Sequence, residues 1–246
     1  MHVLFQRVLN LSNMTSYDVA LTHLNSLWQF QCIQPELDDF ITLEMCLNDL
    51  TWLKKQVAQL KKKQCAPRDR VAASLLHKKL TKQVVIPLMV YYLMTSKVPQ
   101  FSYQDLHVCK NFTHLMRWSG QIEHTTQQDF YTLLQQLLLD LHQIFTQHLN
   151  LSNAIFWTNT ALFMTQPWTK LSQKTEDHQA LLHEFQTFLQ KVDKRLVQRI
   201  HWLSLQQDEQ WVLQPRRMTC CLKYTTAIGK FCRTCPTGCY KDVPTL

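Results

Sequence analysis

Glycine is the scarcest punctuation in this chain: only Gly120, Gly229 and Gly238 occur in 246 residues, against a usual share of about 7%. That scarcity argues against a sheet-rich fold, which needs tight turns and positive-φ positions. It also rules out two nucleotide sites. Neither a G-x-G-x-x-G turn nor a G-x-x-x-x-G-K loop can be written, because Gly229-Lys230 lacks the earlier glycine. G-x-S-x-G and metalloprotease motifs are absent as well. Neither NADPH nor ATP is therefore expected to be held through such folds. Long apolar runs are missing too. The best, Val84 to Met94, is eleven residues and contains Pro87, well short of the roughly 18 to 20 needed to cross a bilayer.

The start, Met1-His2-Val3-Leu4-Phe5-Gln6-Arg7, has no basic leader before an apolar stretch and does not read as a secretory signal. Cys32, Cys46, Cys65 and Cys109 stand singly, which suits a reducing compartment better than a disulfide framework. The expected location is cytoplasmic, and the sequons at Asn10, Asn13, Asn111 and Asn150 would go unused. Acidic residues are outnumbered, 18 against 26 basic, for a formal charge of +8. The excess suggests an anionic partner, although Lys54, Lys55 and Lys61 to Lys63 read as a solvated helix end that complements the helix dipole.

What the chain has is helical periodicity and 46% apolar residues, enough to bury a large core. Leu37, Phe40, Ile41, Leu47, Leu50, Leu53, Val57 and Leu60 recur at three- and four-residue intervals, which predicts one helix from about Pro35 to Gln64, closed by Pro67. A second should run from about Asp69 toward Met94, kinked or split at Pro87. Short strands are expected around Phe101 to Val108 and Phe112 to Trp118. Phe130, Leu133, Leu134, Leu137, Leu138, Leu141 and Ile144 mark a helix from about Thr126 to His148. Ser152 caps another that ends before Pro167, and Thr175 caps a further one with Leu181, Leu182, Phe185, Phe188, Leu189 and Val192 inward. Ile200, Trp202 and Leu203, then Trp211, Val212 and Leu213, predict a hairpin turning at Gln206-Gln207-Asp208-Glu209. The fold class is mainly α: a helical body over 1–205 with a few short strands, and a C-terminal cysteine-rich segment over 206–246 that packs on it.

Five of the nine cysteines fall in the last 27 residues. Cys220-Cys221, ten intervening residues, then Cys232-Arg233-Thr234-Cys235 supply four thiols within sixteen residues, the number for a tetrahedral zinc or an all-cysteine iron–sulfur cluster. A two-residue spacer lets Cys232 and Cys235 turn to one centre. Neighbouring side chains diverge in extended backbone, so Cys220 and Cys221 suit the two separate irons of a [2Fe-2S] cluster better than one zinc. Both remain open on spacing alone.

The run Arg216-Arg217-Met218-Thr219-Cys220-Cys221-Leu222-Lys223-Tyr224 with Phe231-Cys232-Arg233-Thr234-Cys235-Pro236 resembles the C-terminal signature of the siderophore ferric-reductase (FhuF-like) family. Phe156-Trp157-Thr158-Asn159-Thr160-Ala161 is similar to that family's Trp-x-Asn helix, and His77 to Pro87 resembles an earlier one. The resemblance implies that Cys220, Cys221, Cys232 and Cys235 hold a [2Fe-2S] cluster, with no catalytic residue beyond these ligands. It implies an oxidoreductase that passes one electron to a ferric siderophore and releases Fe(II), charged by a ferredoxin, flavodoxin or flavin reductase. It gives Cys239 no role, and a spare thiol is expected there. Nucleic acid is not expected as a partner, and peripheral contact with an inner-membrane surface stays open. The alternative is a non-enzymatic basic protein whose tail is braced by zinc and which binds nucleic acid or a protein partner; an iron–sulfur redox sensor is a third reading. Arg216, Arg217, Lys223, Lys230 and Arg233 read by default as surface charge, with attraction of an anionic chelate or donor as the sharper option. Trp157 and Asn159 read as core, Asn159 satisfying buried polar groups. His77, His142, His148, His178 and His183 read as solvated or hydrogen-bonded rather than as ligands.

Overall fold

The structure, a computed structural model, describes residues 37–94, 98–113, 116–118, 124–172, 177–207, 210–227, 229–232 and 234–236. The leader and sequon readings at 1–13, the thiols Cys32 and Cys239, Arg233, the Thr175 cap and the hairpin turn at 208–209 lie outside the described residues.

The architecture is mainly α, as the periodicity predicts. A 3-10 turn at Leu37–Asp39 leads into strand β1 (Phe40–Thr42), then α1 (Leu43–Asn48) and α2 (Leu50–Lys63). The single helix expected over 35–64 is therefore not what forms. Phe40 to Thr42 pairs antiparallel with β3 (Leu106–Cys109), Phe40 opposite Cys109. The helical run then breaks at Asp49, whose carboxylate accepts the Trp52 N–H at 2.8 Å and restarts the chain as an N-cap. Apolar spacing is blind to such a break, because Leu47, Leu50 and Leu53 keep the interval across it. With glycine unavailable, α2 ends on Cys65 at φ 46. Phe112, Asn150 and Leu222 also take positive φ, at a cost of roughly 1–2 kcal/mol each where the residue is not asparagine.

Helix α3 (Asp69–Met94) is the central element and runs without interruption through Pro87. A proline inside a helix strands the carbonyl four residues back. Here that carbonyl, on Gln83, accepts the Met116 N–H at 3.3 Å from the loop beside it, so the helix need not split. Short pairs follow: β2 (Val98–Pro99) with β5 (His124–Thr125), and β3 with β4 (Arg117–Trp118). Strands β3 and β4 overlap the stretches expected to hold strands and are shorter, whereas β2 and β5 lie outside them. Helix α4 (Gln127–Gln143) opens on Thr126, which accepts from Asp129 N, and ends in a π-helical turn at Ile144–His148.

Helix α5 (Asn153–Ser172) lies along α3 and does not stop before Pro167. Leu162, Phe163, Met164 and Trp168 on either side of that proline are buried, and their packing outweighs the roughly 3 kcal/mol that an internal proline costs. Helix α6 (His178–Val192) is capped by Asp177 and buries Leu181, Phe185, Phe188, Leu189 and Val192. Helix α7 (Lys194–Val197) feeds an antiparallel hairpin of β6 (Ile200–Gln207) and β7 (Gln210–Arg217), in register from Ile200 opposite Arg217 to Gln207 opposite Gln210. The hairpin spans position 205/206, so body and tail share a sheet. Leu213 N–H donates to Ser172 Oγ at 3.1 Å and ties β7 to the end of α5.

His77 sits fully buried between α3 and α5, 3.4 Å from Thr160 Oγ1 and packed against Phe145 and Phe156. Burial, with His142 and Lys78 nearby, lowers its pKa to about 3. The folded state thus resists a proton that the unfolded chain accepts below about 6.5, so stability is complete above that value and falls as pH drops toward 3. Wild type should lose about 2 kcal/mol more than His77→Gln between pH 7 and pH 5, read by denaturant unfolding at each pH. Equal losses in both proteins contradict the assignment.

Candidate metal centre

The centre forms where the end of β7 meets the sides of α3 and α5. After Arg217 the chain turns through Cys220 and Cys221, and Leu222 takes φ 63 before a 3-10 turn at Lys223–Thr225. That left-handed residue turns the chain directly after the adjacent cysteine pair. The two thiols diverge, as neighbouring side chains do. Cys221 Sγ stands 3.9 Å from Cys232 Sγ, while Cys220 is in hydrogen-bond contact with Cys235. Cys232 and Cys235 lie on one turn, closed by Cys235 N–H donating to the Cys232 carbonyl at 2.9 Å. All four cysteines named from the sequence are thus brought together, as two facing pairs. The described cysteines are free thiols, and 3.9 Å is nearly twice a disulfide bond of about 2.05 Å.

The tail is stitched to the body on several sides. Ser74 of α3 donates to the Cys221 carbonyl at 3.0 Å, and Ala227 N–H reaches the Gln64 carbonyl at the end of α2 at 3.1 Å. Arg217 N–H donates to the Thr234 carbonyl at 3.2 Å, and the Arg216 guanidinium to the Pro236 carbonyl at 2.8 Å.

The surface-charge reading fails for Arg217. Its side chain is buried, at 1% exposure. One guanidinium nitrogen donates to Asn159 Oδ1 at 3.0 Å, and the other to Cys221 Sγ at 3.1 Å and to Cys232 Sγ. Lys78 Nζ lies 3.7 Å from Cys221 Sγ. Asn159, also buried, donates to Ser74 Oγ at 3.2 Å. Sequence reasoning placed Asn159 in the core but missed Ser74 and Lys78. The available signal was their spacing of four on one helix face.

The electrostatics follow the contacts. The hydrogen bond from Cys232, opposed by burial and helped by Lys78 and Arg217, lowers the Cys221 pKa to about 4. The same bond, with burial, pushes the Cys232 thiol up. Burial raises Cys220 against the Leu222 N–H, which donates to its sulfur at 3.3 Å. Burial lowers Lys78, with Cys221 acting against it. For Arg217 burial disfavours the charge, but Cys221 and Cys232 more than offset this and raise its pKa.

These residues fit a thiolate-bound group. Sulfurs about 2.3 Å from a tetrahedral metal stand about 3.8 Å apart, close to the Cys221–Cys232 separation. An oxidised [2Fe-2S] cluster on four thiolates carries a formal charge of about −2, and Arg217 and Lys78 supply two cations. A four-thiolate zinc has the same charge, so charge does not choose between them. Among the described residues no three of His, Cys, Asp and Glu gather closely enough to hold one metal ion. The histidines stand aside, His142 bonded to Asn153 Oδ1 at 2.7 Å and His178 to the Ser172 carbonyl at 3.0 Å. Outside the thiols, Tyr224 and Phe231 are exposed and stacked at 5.0 Å, next in sequence to Lys223 and Lys230.

Compared with protein-family models, with curated proteins and with solved structures, the chain matches none.

Replacing Cys221 or Cys232 by serine should remove bound metal, measured per chain by atomic emission on protein purified without oxygen. Cys65→Ser, at an exposed thiol, should retain it. Full metal content in Cys221→Ser and Cys232→Ser places the metal elsewhere.

Proposed function

We propose that this chain is a ferric-siderophore reductase of the FhuF-like kind, in which Cys220, Cys221, Cys232 and Cys235 hold a [2Fe-2S] cluster. The observation that carries this reading is the arrangement of the four thiols as two facing pairs, with a buried guanidinium and a half-buried ammonium at one of them. Cys221 and Cys232 would ligate one iron, and Cys220 and Cys235 the other. When bound, such a cluster supplies one-electron transfer between an external donor, a reduced ferredoxin, flavodoxin or flavin reductase, and chelated Fe(III).

The chain's own residues do the rest. Leu222 turns the chain directly after Cys220 and Cys221, whose side chains diverge as neighbours do. Ser74 and Asn159 fix the backbone of Cys221 and the guanidinium of Arg217, which limits rearrangement around the sulfurs on electron transfer. Cys220 and Cys232 are half-buried whereas Cys221 and Cys235 are buried, so a chelate would approach on the side of Cys220 and Cys232. Lys223 and Lys230, beside the exposed Tyr224–Phe231 stack, give that approach a basic and aromatic character suited to an anionic complex. No acid–base group is required. Siderophores present hard oxygen ligands that favour Fe(III), so the electron gained by iron itself loosens the complex. Among the described residues no helix is long and apolar enough to cross a membrane, and we place the protein in the cytoplasm, with peripheral contact at the inner membrane compatible with its basic charge.

Protein reduced with dithionite and desalted without oxygen should convert a ferric trihydroxamate or tricatecholate to Fe(II), trapped as a coloured ferrous complex, in about one equivalent per stored electron. Cys220→Ser should give none. A wild-type protein that binds one zinc and reduces nothing supports the braced-tail alternative, with its salt-dependent binding to nucleic acid.

A further inference from the structure

The cations at the centre are unevenly placed. Both sulfur contacts of the Arg217 guanidinium and that of the Lys78 ammonium fall on Cys221 and Cys232. Cys220, besides its contact with Cys235, accepts from a neutral backbone amide, Leu222 N–H. The guanidinium is not loosely held: Arg217 is anchored through Asn159 to Ser74, and Ser74 to the backbone of Cys221. The loop from α3 through α5 and β7 to the tail closes on itself in buried surroundings. Low local dielectric strengthens such contacts and fixed partners keep them aimed.

We infer that Arg217 and Lys78 are positioning residues that raise the reduction potential of the centre by stabilising added negative charge at the Cys221–Cys232 pair, with Asn159 and Ser74 holding the guanidinium in place. The inference rests on the [2Fe-2S] reading. An electron entering a thiolate-bound centre makes it more negative, so donors and positive charge on the sulfurs favour the reduced form over the oxidised one. A guanidinium bonded to two sulfurs acts more strongly than an ammonium 3.7 Å from one. The raised potential lets the cluster accept an electron from a moderate donor, and it sets a limit on how stable a ferric chelate the protein can reduce.

The test is a redox titration followed by visible absorbance on wild type, Arg217→Gln, Arg217→Lys, Lys78→Met and, as a distant exposed control, Lys54→Met. Arg217→Gln should weaken reduction at least tenfold, about 59 mV for one electron. Arg217→Lys should fall between wild type and Arg217→Gln, Lys78→Met should shift in the same direction by less than Arg217→Gln, and Lys54→Met should not shift. If Arg217→Gln fails to take up the cluster, Lys78→Met and Arg217→Lys decide. Iron-loaded variants that keep the wild-type potential overturn the inference while leaving the reductase reading intact. Shifted potentials in a protein that reduces no ferric chelate uphold the inference and remove the reductase reading. A wild type without iron removes both.

Discussion

A buried guanidinium beside thiols holds the two parts of this molecule together. Arg217 leaves water at the last residue of β7, and an unpaired charge in that position costs several kcal/mol. The cost is met only because α5 offers Asn159 and the tail offers Cys221 and Cys232. Remove any one and the cation loses a partner it cannot replace with solvent. Assembly of the tail is thus conditional on the helices, and the helices at that spot are conditional on the tail. This explains why a short cysteine-rich segment, too small to bury a core of its own, still has a defined place.

The body supplies a rigid frame with little glycine. Helix α3 passes Pro87 by handing the stranded Gln83 carbonyl to Met116, and earlier in the same helix Ser74 and Lys78, four apart, share one face. Helix α5 passes Pro167 under a buried cover of aromatic and aliphatic side chains and presents Asn159. Turns that would ordinarily use glycine are made by Cys65, Phe112, Asn150 and Leu222. Leu222 matters most, because its left-handed backbone turns the chain directly after the adjacent cysteines.

Much of the fold was legible because helical periodicity is redundant: seven apolar residues repeat the same message over α4 and its π-helical end, and six do so in α6. What was missed concerns single residues. Asp49 breaks the first helical run by one capping bond, and spacing carries no trace of that. Proline arguments stop a helix at Pro87 or Pro167 only if nothing else takes up the lost hydrogen bond or repays it in packing, and neither compensation is visible in sequence. At the candidate centre the cysteines were legible from their spacing, whereas Arg217 looked like surface charge. An arginine between a hairpin and a thiol cluster reads the same whether it points outward or inward; only the facing Asn159, fifty-eight residues away in the chain, decides.

The central claim is that the two thiol pairs hold two irons. Protein purified without oxygen should be coloured and contain about two irons and two acid-labile sulfides per chain, with little zinc. A colourless protein with one zinc and no sulfide contradicts the account.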